Sequence, residues 1–423
     1  MMKPLSQLFS KHQLYKYKTD GLLILLLGLI AGFAYFQAAQ LVNPALFTEQ
    51  VQDIWFDADA SIVFANMVNR SSNYARNSVH PLFPMGGYLL VWPFRVVLGM
   101  TPIMAVRGAL AVLVAIWVGT LFLLLRLIGC QRLDAVFFSI LGGTSAAAIF
   151  WFVVPETYSL GSLSILLALC LATVAQSPKF AKPWYIAANI LTLSFTITNW
   201  IAGISVTLAS HSWKKFIQII VSSVVILTGL AAFQKIFFPT AALRAIFGTG
   251  NQLDFVHFPS SSLHEKLQAF LFHSIVMPSI QKLPSPNGEP FQIMSIQGSV
   301  LGSGALWGRV TVFIWMILLG LGLWAIFSIK QHGKFRLALG LTLLGQLGLH
   351  SLHGNETFLY SLHYAPLLVV LVSLSTLTRM RPLALTLVLV LVLSAGINNF
   401  IQFKVATDFL NLQTPKFHQT LSH

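Results

Sequence analysis

Groups able to do chemistry concentrate in a few short stretches of this chain. Asp53-Ile-Trp-Phe-Asp57-Ala-Asp59 sets three carboxylates close together beside aromatic side chains. A carboxylate held near an attacking hydroxyl can take its proton. On a helix Asp57 and Asp59 would lie about 200° apart, so one shared role is not expected there. In Val154-Pro155-Glu156-Thr157-Tyr158, Glu156 falls between two apolar runs and needs either a partner or a helix start to favour its charge. A third stretch reads His350-Ser-Leu-His353-Gly-Asn355-Glu356-Thr-Phe-Leu-Tyr360-Ser-Leu-His363. His350, His353 and Glu356 recur at a spacing that would line one helical face as metal ligands. Gly354 interrupts that face, and single-metal motifs such as HExxH are tighter. No dedicated metal or cofactor is therefore expected, a divalent ion staying open. The competing use of these residues is a polar pocket wall for a sugar or phosphate, and histidines idling at a membrane interface are the third.

The elements positioning these groups follow from composition. The chain has 423 residues, 56% hydrophobic and 9% charged, against about 25% charged in soluble domains. Apolar runs recur from Gly21 to Phe403, so a bilayer is the solvent that suits it. The formal charge of +14 does not indicate nucleic acid, because Lys and Arg fall in short breaks between apolar runs. Cys130 and Cys170 lie near the expected cytoplasmic ends of spans, and no disulfide is expected. Lys3, Lys11, Lys16 and Lys18 precede the first apolar stretch, Gly21 to Leu41, which is too long for a cleaved signal and reads as a retained anchor.

More than half of the 26 basic residues fall in six segments: the N-terminus, Arg126 to Arg132, Lys179 to Lys182, Lys214 to Lys215, Lys330 to Arg336, and Arg379 to Arg381. Placing all six in the cytoplasm satisfies the positive-inside rule. The expected fold is an all-α polytopic membrane protein of about eleven transmembrane helices, its N-terminus cytoplasmic. One full span over Trp184 to Ala209 would invert everything downstream, so two short helices or a re-entrant hairpin, turning near Thr198-Asn199-Trp200, are expected there. The division is a cytoplasmic N-terminus (1–20), a transmembrane core (21–238) with its first outer loop at 42–102, a large outer loop (239–304), C-terminal helices (305–403) and a tail (404–423). Pro81 to Leu98, with Arg95 and two prolines, reads as an interfacial helix in the first outer loop.

Taken in order, Asp57-Ala-Asp59 soon after the first span, His80-Pro81-Leu82, Gly99 to Arg107 opening the second span, and Pro155-Glu156-Thr157-Tyr158 resemble the GT-C superfamily of membrane glycosyltransferases. The likeness is to bacterial relatives of protein O-mannosyltransferases and lipid A aminoarabinose transferases, and it covers mainly residues 20–180. Asn355-Glu356-Thr357-Phe358-Leu359-Tyr360 looks like a motif of other members. The resemblance implies a sugar donor on a polyprenyl phosphate, an acceptor hydroxyl of unknown class, a catalytic acid in the first outer loop and a bacterial plasma membrane. Asp-Ala-Asp stands where the family has Asp-Glu, and Asp59 is favoured over Asp57 as base. A lipid phosphate leaves readily, so one carboxylate suffices and inversion is expected, unlike glycoside hydrolysis. Arg107, and with it His80 or Arg309, would stabilise the phosphate; Arg107 could equally snorkel. Glu156, His353, Asn355, Glu356, Tyr360 and His363 would line the substrate site. Two rivals remain: a polysaccharide polymerase or ligase using Arg244, His257, Lys266 and Lys282 of the later loop, and a transporter.

Overall fold

The computed structural model describes residues 11–49, 53–175, 181–241, 261–285, 288–352, 354 and 356–420. In chain order the helices are α1 (Lys11–Gln40), α2 (Ala45–Thr48), α3 (Ala60–Val68), α4 (Phe83–Trp92), α5 (Pro102–Leu127), α6 (Arg132–Thr144), α7 (Ala146–Trp151), α8 (Tyr158–Val174), α9 (Lys182–Phe195), α10 (Trp200–Ser210), α11 (Trp213–Phe237), α12 (Leu263–Gln268), α13 (Leu306–Ser328), α14 (Gly333–Leu352), α15 (Ser361–Ser373) and α16 (Arg381–Thr420). One antiparallel hairpin, β1 (Gln281–Pro284) with β2 (Gln292–Ser295), is the exception to helix. Among the described residues, six helical stretches are long and apolar enough to cross a bilayer: 18–40, 102–127, 213–237, 306–328, 357–377 and 381–417. α8 and the segment 197–210 are shorter apolar helices. The protein is an all-α, membrane-embedded chain.

Small residues set the close approach of α1 to α5. On α1, a Cβ added at Gly28 or Gly32 would lie 3.1 Å from the carbonyl oxygens of Ala115 and Ala111 on α5. The two backbones thus meet through a small-residue seam, as helices do where lipid supplies no hydrophobic drive. At the far end of α5, Asp20 pairs with Arg126 (3.1 Å) and Arg132 (2.6 Å). Fully buried Asp134 accepts both Nε and Nη2 of Arg381 (3.1 and 2.9 Å), tying the start of α6 to the start of α16. The charges of Lys215 and Lys334 act together on His211, and Gly129 abuts both Leu377 and His332. The basic segments therefore gather at one end of the bundle.

Two breaks interrupt the expected spans. The apolar run at 134–152 divides at Ser145, whose hydroxyl caps Ala148 N–H (3.2 Å). The orphan N–H groups of Ala146 and Ala147 are satisfied by the carbonyls of Ile275 and Ser274, so the segment before α13 reaches into the bundle here. α9 and α10 form the short pair expected from charge parity, with a 3-10 turn at Ile197–Asn199. The cause of the turn is tertiary: Ser194 and Ile197 exchange backbone hydrogen bonds with Leu82 and Val79, in the segment between α3 and α4.

Residues beyond 403 are not the expected tail. α16 runs unbroken to Thr420, about 60 Å at the helical rise, which is twice a hydrocarbon core. Its overhang binds the segments after α1 and before α13: Gln413 Oε1 accepts Gln292 N–H (3.2 Å), Asn411 accepts from Asn43 (2.9 Å) and Phe417 meets Phe291 edge-on. Within the helix, fully buried Asn399 accepts Met277 N–H (2.8 Å) and donates to Thr144 O (2.9 Å) and Ile275 O (2.8 Å). Asn399→Leu keeps the shape but strands Met277 N–H and Thr144 O, at about 1–3 kcal/mol each, while Ile275 O still accepts Ala146 N–H. The detergent-solubilised variant should melt several degrees lower, whereas Ile397→Leu, on the exposed face, should not. Equal melting of the two would show that the loop is not held by Asn399.

Candidate active site

The acidic stretch is pinned by its aromatics. Trp55 and Phe56 are fully buried, packing on Phe150, Phe358 and Phe403. Trp55 Nε1 donates to Phe150 O (3.3 Å), and Met294 N–H donates to Ile54 O (3.1 Å). Between these anchors Asp53, Phe56 and Asp57 adopt φ of +66°, +52° and +65°. Left-handed backbone at non-glycine residues costs about 1–3 kcal/mol each and persists only where the surroundings enforce it. Such clustering is characteristic of working sites.

Asp59 follows as the N-cap residue of α3, buried, with its carboxylate paired to Arg76. Arg76 lies in the 3-10 turn Ala75–Ser78 and its side chain is 46% exposed, so a cation stands at the mouth while the acid lies inside. Glu156 meets Asp59 from below. Its Oε1 accepts Asp59 N–H (2.9 Å) and its Oε2 accepts Thr157 N–H (3.1 Å), which clamps the start of α3 against the start of α8. Burial drives the Glu156 pKa upward, and the Asp59 charge adds to this. Burial likewise raises Asp59, to about 6, with Arg76 opposing. Asp57 keeps a solvent-exposed edge, yet the surrounding protein desolvates it and Asp53, Glu356 and Asp59 add negative charge, lifting it to about 7.

His80 is held by the same contact that breaks α9 from α10. Its Nδ1 lies 2.6 Å from Phe195 O, which requires a proton there and leaves Nε2 as an acceptor 3.5 Å from Thr157 Oγ1. Burial lowers its pKa to about 4. A neutral imidazole presenting a lone pair does not bind phosphate, so the role expected of His80 changes to that of a hydroxyl partner. Asp59, Arg76, His80, Glu156, Thr157 and Tyr158 border one recess with a free volume of about 20 Å³, room for about one water.

The late loop touches Tyr158, which borders the recess, but supplies none of its lining residues. Tyr158 meets Tyr360 (5.6 Å) and His363 (5.1 Å) edge-on. Glu356 is buried, its Oε2 accepting Ser295 Oγ (2.6 Å) and Ile296 N–H (3.2 Å), and burial lifts its pKa to about 7. His350 stacks on Tyr360 (4.6 Å) and meets Gln346 (3.0 Å), which donates to Asn199 (3.2 Å). Both ring nitrogens of fully buried His363 lack a hydrogen-bond partner among the described residues. Gly161 makes room for this cluster: a Cβ there would fall 2.5 Å from Asn199 Nδ2 and 3.0 Å from His363 Nε2.

Other expectations fall elsewhere. Arg107 is buried against α1, donating to Gln40 Oε1 (2.9 Å) and Val42 O (2.7 Å). Arg309 is exposed and donates to Gly304 O (2.9 Å) near its own helix start. Neither borders the recess. His353 and Asn355 lie outside the described residues, as do Arg244 and His257. No three His, Cys, Asp or Glu side chains converge as a metal-holding group among the described residues. Lys266 donates to Gly354 O (2.9 Å), and Lys282 lies over the Phe409 ring (5.1 Å). Arg76 was missed by sequence reasoning. Its signal was a cation, one of two with Arg70, between the acidic stretch and His80 and outside the six basic segments. Compared with known proteins, the chain matches no protein-family model and no curated protein.

Proposed function

We propose that the protein is a GT-C-type membrane glycosyltransferase that moves a sugar from a polyprenyl phosphate to an acceptor hydroxyl on the non-cytoplasmic face, with inversion. The observation that carries this reading is the pairing of buried Asp59 with Arg76 at the recess mouth, at the end of the bundle away from the gathered basic segments. Asp59 takes the acceptor proton as that oxygen bonds to the anomeric carbon. The bond from that carbon to the phosphate oxygen breaks, and the polyprenyl phosphate leaves with the electron pair. Arg76 stabilises the phosphate charge, and its departure from Asp59 towards the phosphate frees the base. The recess is too small for a sugar, so the reacting atoms meet at its mouth. Glu156 positions Asp59 through its backbone, and neutral His80 accepts a hydroxyl.

With α6–α7 counted as one crossing and α9 and α10 as one each, eleven crossings place the acidic loops outside and the basic segments in the cytoplasm of a bacterial plasma membrane. The buried polar cluster of Asn199, Gln346, His350 and His363 favours a second reading, transport, because polar groups inside a bundle mark pathways.

Purified protein incubated with a panel of polyprenyl-phosphate sugars separates the two. Release of polyprenyl phosphate is expected with at least one donor. Its kcat/KM should fall as pH drops through about 6, because Asp59 must be ionised to act and burial has raised its pKa. No release with any donor, together with uptake of a solute into proteoliposomes, would favour transport.

A further inference from the structure

Uncompensated positive charge at the basic end borders a groove remote from the recess. It has a free volume of about 540 Å³ and is bordered by Trp324 and Ser328 at the end of α13, by Lys330, and by Thr378, Arg379 and Met380 just before α16. Lys330 and Arg379 are exposed and form no ion pair among the described residues. The acids at this end are committed: Asp20 to Arg126 and Arg132, and Asp134 to Arg381. No carboxylate borders the groove. α16 opens at Arg381 beside it, so the positive end of a long helix dipole adds to the field.

The same groove opens towards lipid. Trp324 is 47% exposed and Phe327, one turn on, is 86% exposed. A tryptophan in the last turns of a spanning helix sits at headgroup level, next to acyl chains. Two cations without counter-charge, hydroxyl groups between them and apolar side chains alongside match the chemistry of one occupant: a phosphodiester headgroup whose chains run along α13. Basic pockets between spanning helices bind anionic headgroups on this physical basis.

We propose that the groove between the end of α13 and the start of α16 is a binding site for an anionic phospholipid, its phosphate held by Lys330 and Arg379. This proposal is independent of the sugar-transfer reading.

The full-length protein in detergent, followed by native mass spectrometry with added phosphatidylglycerol or phosphatidylcholine, tests it. Wild type should retain phosphatidylglycerol and not phosphatidylcholine. Lys330→Gln/Arg379→Gln should weaken retention about tenfold or more. Lys214→Gln/Lys215→Gln removes equal charge from the same end and should retain the lipid as wild type does. Three results would overturn the proposal: unchanged retention in Lys330→Gln/Arg379→Gln, equal loss in both double variants, or displacement of the lipid by an equal concentration of soluble glycerol phosphate.

Discussion

Asp59→Asn is expected to lower turnover of a polyprenyl-phosphate sugar about 10³-fold, within the range that a positioned general base contributes. Asp57→Asn should cost less than about tenfold. The two acids differ in setting, not in type. Asp59 is buried, opens α3 and faces a cation, while Asp57 lies on strained backbone with a solvent-exposed edge. The asparagine at 59 should fold, because Glu156 holds that residue through its backbone N–H and Arg76 can turn to solvent. Melting temperature and elution volume provide the control. Equal loss in the two variants would point to a shared carboxylate pair. Loss confined to Asp57→Asn would transfer the base to Asp57 and leave Asp59 a partner for Arg76.

Arg76→Ala should reduce kcat/KM about 10²-fold or more, the usual effect of removing one donor from developing charge. A second signature separates phosphate stabilisation from simple structure. Arg76 holds the Asp59 pKa down against burial, so its removal should move the acidic limb of the pH profile to higher pH. Part of the loss at pH 7 should then return at pH 8.5. Arg76→Lys keeps the charge but not the fork, so it should leave the limb near its wild-type position and still lose rate. An unmoved limb in Arg76→Ala would mean that Asp59 is not the titrating base.

Much of the site was legible because acids are scarce. Twelve carboxylates in 423 residues make each one in an apolar chain costly to leave idle, which singles out Asp57 and Asp59 as a cluster and Glu156 between two apolar runs, while Glu356 stands out by its spacing from His350 and His353. Their partners were not legible. Glu156 clamps a backbone N–H 97 residues away, and nothing local to Pro155-Glu156-Thr157 selects that donor. Arg107 looked like a phosphate ligand because it opens a span, but its guanidinium satisfies the end of α1 instead. Arg76 carries no motif or period, and only the packing of its 3-10 turn turns it towards Asp59. The α9–α10 pair could be found because side-of-membrane parity depends on every basic segment at once. The overhang of α16 was also written in the sequence. Phe403, Ala406, Leu410, Gln413 and Phe417 recur at three- and four-residue steps and are all buried, a stripe hidden by the polar residues between them.

Following the anomeric carbon of a ¹³C-labelled polyprenyl-phosphate sugar through turnover by NMR tests the central claim most directly. The account predicts that this carbon ends bonded to an acceptor oxygen with inverted configuration, at a rate that Asp59→Asn removes. Retained configuration would contradict the single-base scheme, and turnover undiminished in Asp59→Asn would contradict the assignment of the site.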